Sequence, residues 1–326
     1  MDEIHKHYRW KRHLKGLYDT LESPCDILVT GSARLNIYRR QSDSMAGRFF
    51  HFRLHPFSIG ELATATAPSP EETLAMLESG GTGTGQNGGM LGDLLEYGPF
   101  PEPLLAQDAR IARIWRRNRD QMVVRDDLRD ISRLPELGDV EMLAALLPER
   151  VGSLLSHTSL GEILGRPSNT IKRWMEALGE VYYAFEIKPW TKSIPRSLRK
   201  QGKWYLWDYG AVPDQAARFE NLVACHLLKS CDFWTDCGYG DFRLHFLRNK
   251  EKQELDFLIV RDGEPWLPVE VKSGKETPDT NWGKFAPLLP CRFGVQVTMK
   301  PGWKVHAMGA SQVLVANAAD VLGCFP

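Results

Sequence analysis

Two short apolar runs near the C-terminal end of the chain are interrupted by charged residues at alternating positions. The runs are residues 254–260 and 266–272, and the turn between them contains Asp-Gly, so the pattern predicts a β-hairpin. Because successive side chains of a strand point to opposite faces, Asp256 lies opposite the apolar face of its strand. Glu270 and Lys272 share one face of the next strand. The hairpin therefore carries two acids and a lysine on strands that otherwise have a buried pattern.

The register of the hairpin decides whether the two acids meet, since a slip of one residue moves a strand's side chains to the other face. A two-residue turn alone would leave Asp256 and Glu270 on opposite faces, whereas a three-residue loop, 262–264, would set them directly across from each other. We predict that longer loop or an equivalent bulge, with Gly263 supplying positive φ. Two carboxylates about 4 Å apart repel by roughly 4 kcal/mol at an effective dielectric of about 20. Such a pair needs a cation, a proton or Lys272 beside it.

Helical periodicity precedes this hairpin. Residues 159–165 and 168–178 have the pattern of two helices, and residues 181–187 have that of a strand. Two helices followed by a wing are typical of domains that enter the DNA major groove. Lys172 and Arg173 are the only basic residues of the second helix, however. The sequence leaves DNA binding and packing between domains open as alternatives.

Composition limits the classes of protein that need consideration. A chain of 326 residues is long enough for two or three domains. Lys+Arg and Asp+Glu are equal at 41 each, so any binding of nucleic acid needs a local basic patch. The six cysteines form no CxxC pair, which predicts free thiols. No apolar run approaches membrane-spanning length, and we expect a soluble, cytoplasmic protein with no membrane partner.

The spacing of Asp256 and the Glu270-x-Lys272 motif resembles the PD-(D/E)xK nuclease-like core. The resemblance implies that the two acids hold Mg²⁺ and that the lysine orients or activates the attacking water. Members of that family usually add an acid on the preceding helix, and Glu220 within residues 218–223 matches it. The candidate catalytic residues are therefore Glu220, Asp256, Glu270 and Lys272. The candidate metal ligands are Asp256 and Glu270. An ordinary sheet with an Asp–Lys or Glu–Lys pair is the alternative.

Three segments follow one another in the first sixty residues: DEIHK at residues 2–6, LVTGSA at 28–33 and SMAGRFFHFRLHPFSIGEL at 44–62. In this order they resemble the latter half of the ATPase domain in a family of prokaryotic AAA+-like ATP-binding proteins with a C-terminal domain of unknown function. The resemblance implies that certain positions serve ATP and its Mg²⁺. These positions are Asp2, Glu3, Ser32 and Arg48.

One part of the family pattern is missing. No Walker A sequence, G-x-x-x-x-G-K-[ST], occurs anywhere in the chain, whereas in the family it precedes the Asp-Glu pair. Without the amides and lysine that cradle phosphates, we expect no ATP hydrolysis. A truncated gene, a misassigned start and a diverged protein are the alternatives. The Gly-rich segment 80–89 has no lysine and is predicted to be a surface loop.

The segments RFENLV, LHFLR, ELDFLI and EVKSG also follow the order of that family's C-terminal domain. We predict an α/β multidomain chain with a partial P-loop ATPase α/β domain, a winged helix and a mixed-sheet PD-(D/E)xK nuclease-like α/β domain. The expected divisions are residues 1–66 for the C-terminal part of the ATPase domain, 67–150 for a helical region with the Gly-rich loop, 151–190 for the winged helix and 191–326 for the nuclease-like domain.

The resulting hypothesis is an ATP-binding family member whose nuclease-like domain binds or acts on nucleic acid. A Mg²⁺-dependent nuclease and a non-catalytic protein-interaction module are the alternatives.

Overall fold

The computed structural model of the protein describes residues 9–20, 25–31, 49–64, 66–80, 87–131, 136–191 and 201–326. The four candidate ATP-site residues, Asp2, Glu3, Ser32 and Arg48, lie outside these ranges. Their assignment therefore stays a prediction. Residues 81–86 of the Gly-rich segment also lie outside the described part.

Helices dominate the first half of the chain. They are α1 (Trp10–Thr20), α2 (Ile59–Ala63), α3 (Pro70–Ser79), α4 (Gly88–Tyr97), α5 (Pro101–Ala106), α6 (Ala109–Gln121), α7 (Leu128–Ile131), α8 (Leu137–Leu146), α9 (His157–Leu164) and α10 (Ser168–Glu180). A π-helical segment, Met122–Asp127, joins α6 to α7. In the second half, α11 (Gln215–Asp236), α12 (Trp282–Phe285) and α13 (Ala318–Leu322) alternate with strands.

Local sequence signals explain where several of these helices begin. Ser69 caps α3 by accepting a hydrogen bond from the Glu72 amide, and the Glu72 side chain bonds back to the cap, forming a capping box. Pro70 occupies the first turn, where its missing N–H is not needed. The helix ends at Gly80, whose φ of 107° is readily adopted only by glycine.

Within the described ranges, the strands form a single mixed sheet of eight. The strands are β1 (Ala184–Pro189), β2 (Lys203–Leu206), β3 (Phe242–Arg248), β4 (Glu254–Arg261), β5 (Glu264–Lys272), β6 (Phe293–Thr298), β7 (Trp303–Met308) and β8 (Ser311–Asn317). Their order is β2-β1-β3-β4-β5-β6-β8-β7, and the β1–β3, β5–β6 and β6–β8 pairs are parallel. The coarse prediction of an α/β protein with a mixed sheet is confirmed.

Apolar side chains cover both faces of the central strands. On one face, Phe257 of β4 joins a large core that includes Phe219 and Leu222 of α11. On the other face, Leu258 packs in a smaller cluster that contains Trp282 of α12. Strands covered on both faces have nearly continuous apolar runs, so charged residues among them stand out.

The predicted wing and the predicted nuclease-like region share this sheet. Strand β1 pairs antiparallel with β2 and parallel with β3, so hydrogen bonds cross the boundary proposed at residue 190. The order α11, β3, β4, β5, α12 and β6 is also the helix, strand, helix and strand order expected from the sequence. The proposed divisions themselves stay a prediction.

Residues 49–64 lie against α11 and connect the N-terminal part of the chain to the sheet. Arg53 forms ion pairs with Asp232 and Asp236 on that helix. The Ile59 amide donates a hydrogen bond of 3.0 Å to Nε2 of the buried His226. This histidine therefore serves as a neutral acceptor at the junction.

The cysteines and the lengths of the helices bear on two predictions from the sequence. All six cysteines are free, as predicted. Within the described ranges, every helix is too short or too polar to cross a lipid bilayer.

Candidate functional site

The turn between β4 and β5 contains two residues, so the predicted three-residue loop is wrong. Arg261 pairs with Glu264 across it. Asp262 and Gly263 have φ values of 52° and 86°, the left-handed conformation that two-residue hairpin turns require. Gly263 therefore supplies positive φ as predicted, but within the turn.

A β-bulge in β5 corrects the register instead, which confirms the other predicted arrangement. The pairs that flank the bulge are Val260 with Pro265 and Ile259 with Leu267. Trp266 is therefore the extra residue, and it moves all later residues of β5 by one position. Because of this shift, Asp256 and Glu270 face each other.

The predicted acids and lysine converge on this part of the hairpin. The Asp256 amide donates to Glu270 Oε2 at 3.1 Å, and the Val271 amide donates to Asp256 Oδ2 at 2.9 Å. Lys272 Nζ lies 2.5 Å from Glu270 Oε1 and 3.8 Å from Asp256 Oδ2. The ammonium therefore contacts one acid and lies close to the other.

Glu220 approaches the same place from α11. Lys203 connects it to the hairpin, because Lys203 Nζ lies 3.6 Å from Glu220 Oε1 and 4.0 Å from Asp256 Oδ1. The Tyr205 hydroxyl donates to Glu220 Oε1 at 2.8 Å. All four predicted catalytic residues therefore belong to one polar cluster.

Sequence reasoning missed two further residues of this cluster, Lys203 and Tyr205. Both come from β2, where they occupy alternate positions on one face. Lys203 also lies 3.0 Å from Glu254 Oε2, and Arg248 pairs with the same carboxylate. The missed signal is a lysine within a short apolar and aromatic strand, since a lysine is almost never fully buried unless paired.

Burial and mutual repulsion raise the pKa values of two acids of the cluster. Glu270 is 0% exposed, and burial together with the Asp256 carboxylate raises its pKa to about 7, against the opposing effect of Lys272. Burial likewise raises the pKa of Glu220, although Lys203 opposes it. For Lys272, burial lowers the pKa, but the Asp256 and Glu270 carboxylates outweigh it and the net shift is upward.

The cluster is close to neutral. Its acids are Glu220, Glu254, Asp256 and Glu270, and its cations are Lys203, Arg248 and Lys272. Four carboxylates therefore face three cations, which leaves one formal negative charge when every acid is ionised. A divalent cation that enters must compete with lysines already present.

The oxygen donors of the hairpin suit Mg²⁺, which typically takes one or two carboxylates and completes its shell with water and phosphate oxygens. Asp256 Oδ1 accepts no hydrogen bond from the described residues and faces Lys203 only at 4.0 Å. Glu270 lies beside it, with the Lys272 ammonium on Oε1 and the Asp256 amide on Oε2. Nowhere in the described ranges do three or more His, Cys, Asp or Glu side chains group to hold a metal by themselves. Asp256 and Glu270 fit an ion that is only partly held by protein.

The basic residues of helix α10 lie near acids. Lys172 Nζ is 3.8 Å from Glu176, and Arg173 is 3.7 Å from Glu136. These pairs reduce the positive potential that would attract a DNA backbone.

Three family models match successive parts of the chain. Residues 1–63 match an AAA domain, residues 89–220 match the domain of unknown function DUF8612, and residues 215–317 match the domain of unknown function DUF4143. The matches support an AAA-like family. The third match contains all four predicted catalytic residues, whereas Lys203 and Tyr205 lie within the second.

Two mycobacterial proteins named only as uncharacterized, from Mycobacterium bovis and Mycobacterium tuberculosis, resemble the chain over most of its length. Each is 21% identical over 314 residues, which cover 94% of this chain and 65% of the relative. The chain thus spans less than two thirds of the length of these relatives. No solved structure matches the chain significantly.

Proposed function

We propose that this member of an AAA-like family carries a Mg²⁺-dependent, nuclease-like site that acts on the phosphodiesters of nucleic acids. The observation that carries the proposal is the bulge in β5, which brings Asp256, Glu270 and Lys272 together. A regular two-residue hairpin would have separated the two acids.

The four candidate catalytic residues each have a definite place in such a reaction. Asp256 and Glu270 would hold Mg²⁺, which polarises the phosphodiester and activates a water when it is bound. The Lys272 ammonium pairs with Glu270, and its side chain is only half-buried. The ammonium would therefore donate a hydrogen bond to a phosphate oxygen on which negative charge develops. Glu220, fixed by the Tyr205 hydroxyl, adds a further acid next to Asp256.

A non-catalytic interaction module is the second candidate, and the near-neutral charge of the cluster favours it. In that case Lys203 and Lys272 act only as structural partners of the buried acids. The two candidates differ in what happens when one metal ligand is removed. Only the nuclease loses a chemical activity.

Cleavage of labelled single-stranded and double-stranded DNA and RNA, in Mg²⁺ and in Mn²⁺, tests the proposal. We expect Asp256→Asn to reduce cleavage by about 100-fold or more, because the loss of an inner ligand exceeds the 10- to 100-fold typical of outer-shell changes. Glu264→Gln is the matched control, since Glu264 is exposed at the start of β5, the other strand of the hairpin.

The outcomes separate the candidates. Cleavage that survives Asp256→Asn would overturn the site assignment. Wild-type protein that neither cleaves any substrate nor binds Mn²⁺ would favour the interaction module.

We propose separately that the chain binds ATP, and the match of residues 1–63 to an AAA domain supports this proposal. Titration with a fluorescent ATP analogue tests it. Loss of binding in Asp2→Asn or Glu3→Gln would support the residues assigned, and equal binding in both would refute them.

A further inference from the structure

Lys203 is a buried cation that the proposed reaction does not use. It is only 4% exposed, and its ammonium has acids from two elements around it. Glu254 and Asp256 lie on β4, at 3.0 Å and 4.0 Å, and Glu220 lies on α11, at 3.6 Å. A side chain so enclosed cannot reach a substrate without leaving these partners.

The position of Lys203 gives it a direct electrostatic effect on the candidate metal ligands. Its ammonium faces Asp256 Oδ1, whereas Lys272 and the Val271 amide are on the side of Oδ2. The oxygen left open for a metal ion is therefore the one next to Lys203. A positive charge at this distance opposes the arrival of a divalent cation.

We propose that Lys203 is a positioning residue that holds the cluster together without metal and thereby lowers its affinity for divalent cations. The inference rests on the proposed function, since it takes Asp256 and Glu270 as the metal ligands. Lys203 acts through Asp256 and Glu220 and does not itself bind the ion. Metal occupancy thus depends on a competition between one buried ammonium and the incoming cation.

The location of Lys203 extends this argument to another part of the chain. Strand β2 is held by residues that precede the helix-turn-helix, because Gly152 and Leu155 donate amide hydrogen bonds to the carbonyls of Trp204 and Gly202. An isolated bridge joins Leu154 to Lys203 itself. Lys203, in the region that matches DUF8612, therefore influences the metal affinity of Asp256 and Glu270 in the C-terminal region.

Calorimetric titration with Mn²⁺ tests the proposal. We expect Lys203→Met to bind Mn²⁺ at least about tenfold more tightly than wild type, which corresponds to about 1.4 kcal/mol. Lys203→Arg keeps the charge and should bind within about threefold of wild type. Lys304→Met, which removes an exposed lysine from the opposite edge of the sheet, should leave the affinity unchanged.

These measurements separate the electrostatic role from a merely structural one. Structural damage would weaken Mn²⁺ binding in Lys203→Met, so equal or weaker binding overturns the proposal. The additional change Asp256→Asn should abolish the tighter binding, and tight binding that persists would show that the ion lies elsewhere.

Loss of folding in Lys203→Met would also be informative. Since an ion that binds only the folded state stabilises it, Mn²⁺ should then restore the folded circular-dichroism signal. Failure to restore it would overturn the role assigned to Lys203.

The proposed function can fail independently. Tighter binding in Lys203→Met by a protein that cleaves no nucleic acid would uphold the role of Lys203 and reject the nuclease. Weaker binding in the variant of an active nuclease would mean the reverse.

Discussion

Glu270 is the residue at which a functional site and an ordinary ion pair predict opposite effects on stability. Its side chain is fully buried between the Asp256 amide and the Lys272 ammonium. The substitution Glu270→Gln keeps the size of the side chain and removes its charge. The measurement of interest is the free energy of unfolding of the metal-free protein as a function of pH.

The magnitude follows from the pKa of the carboxyl group. A folded pKa of about 7, against an ordinary value of 4.5, makes ionised Glu270 destabilising by about 3 kcal/mol, since each pKa unit is worth about 1.4 kcal/mol. Below pH 4.5 both states hold the proton, so the penalty is absent. Between pH 4.5 and 7 the folded state binds more protons than the unfolded state, so wild-type stability falls as pH rises.

Urea unfolding in the presence of a chelator, at pH values from about 5 to 8, measures this effect. Relative to wild type, Glu270→Gln should gain about 2 to 3 kcal/mol of stability across that range. The glutamine amide presents a donor to Lys272 or to the Asp256 amide, which costs about 1 to 3 kcal/mol at every pH. The change with pH, not the absolute difference, is therefore decisive.

A favourable Lys272–Glu270 pair would give the opposite trend. The variant would then lose stability relative to wild type as Glu270 ionises. A flat or falling difference would refute the electrostatic reasoning, and Glu264→Gln should show a flat difference as the control.

Two further predictions concern the contacts of residues 49–64 with α11 and with Phe325 near the end of the chain. Burial lowers the pKa of His226 to about 4 from 6.5, so wild type should lose up to about 3 kcal/mol as pH falls from 6.5 to 4, because the unfolded state takes up the proton first. In acid unfolding curves, His226→Gln should lack this loss of stability. A variant that loses as much stability as wild type over the same pH range would refute the role of His226. A Cβ at Gly60 would overlap the carbonyl oxygen of Phe325, so Gly60→Ala should destabilise by about 1 to 3 kcal/mol in urea. Gly16→Ala, in open space on α1, should not destabilise.

The hairpin could be predicted from sequence because its signals are local. Alternation identified the strands, and the repulsion between two facing carboxylates predicted that a cation, a proton or Lys272 lies beside them. The choice between a longer loop and a bulge could not be made. Trp266 takes the bulge position in a run without glycine, and the local marker is proline at positions 265 and 268, because proline cannot donate to the hydrogen-bond ladder of a central strand.

Lys203 could not be placed for a different reason. Strand β2 is separated from β4 by β1 and β3 in the sheet, so strand pairing does not predict that Lys203 lies near Asp256. That proximity depends on how α11 crosses the sheet and carries Glu220 between them. Such geometry is a tertiary property with no periodicity in the sequence.

The charges of this cluster are hard to explain by stability alone. Replacing a buried ion pair with well-packed apolar residues is often neutral or stabilising, so burial of the Glu270 carboxylate beside Lys272 is not explained by stability alone. A purely structural role would therefore require the Glu270–Lys272 pair to stabilise the fold. If Glu270→Gln gains stability relative to wild type as pH rises from about 5 to 8, and Lys203→Met tightens Mn²⁺ binding, then the Glu270 charge destabilises the metal-free fold and the Lys203 charge weakens metal binding. That combination would leave metal-dependent chemistry as the reason for the cluster.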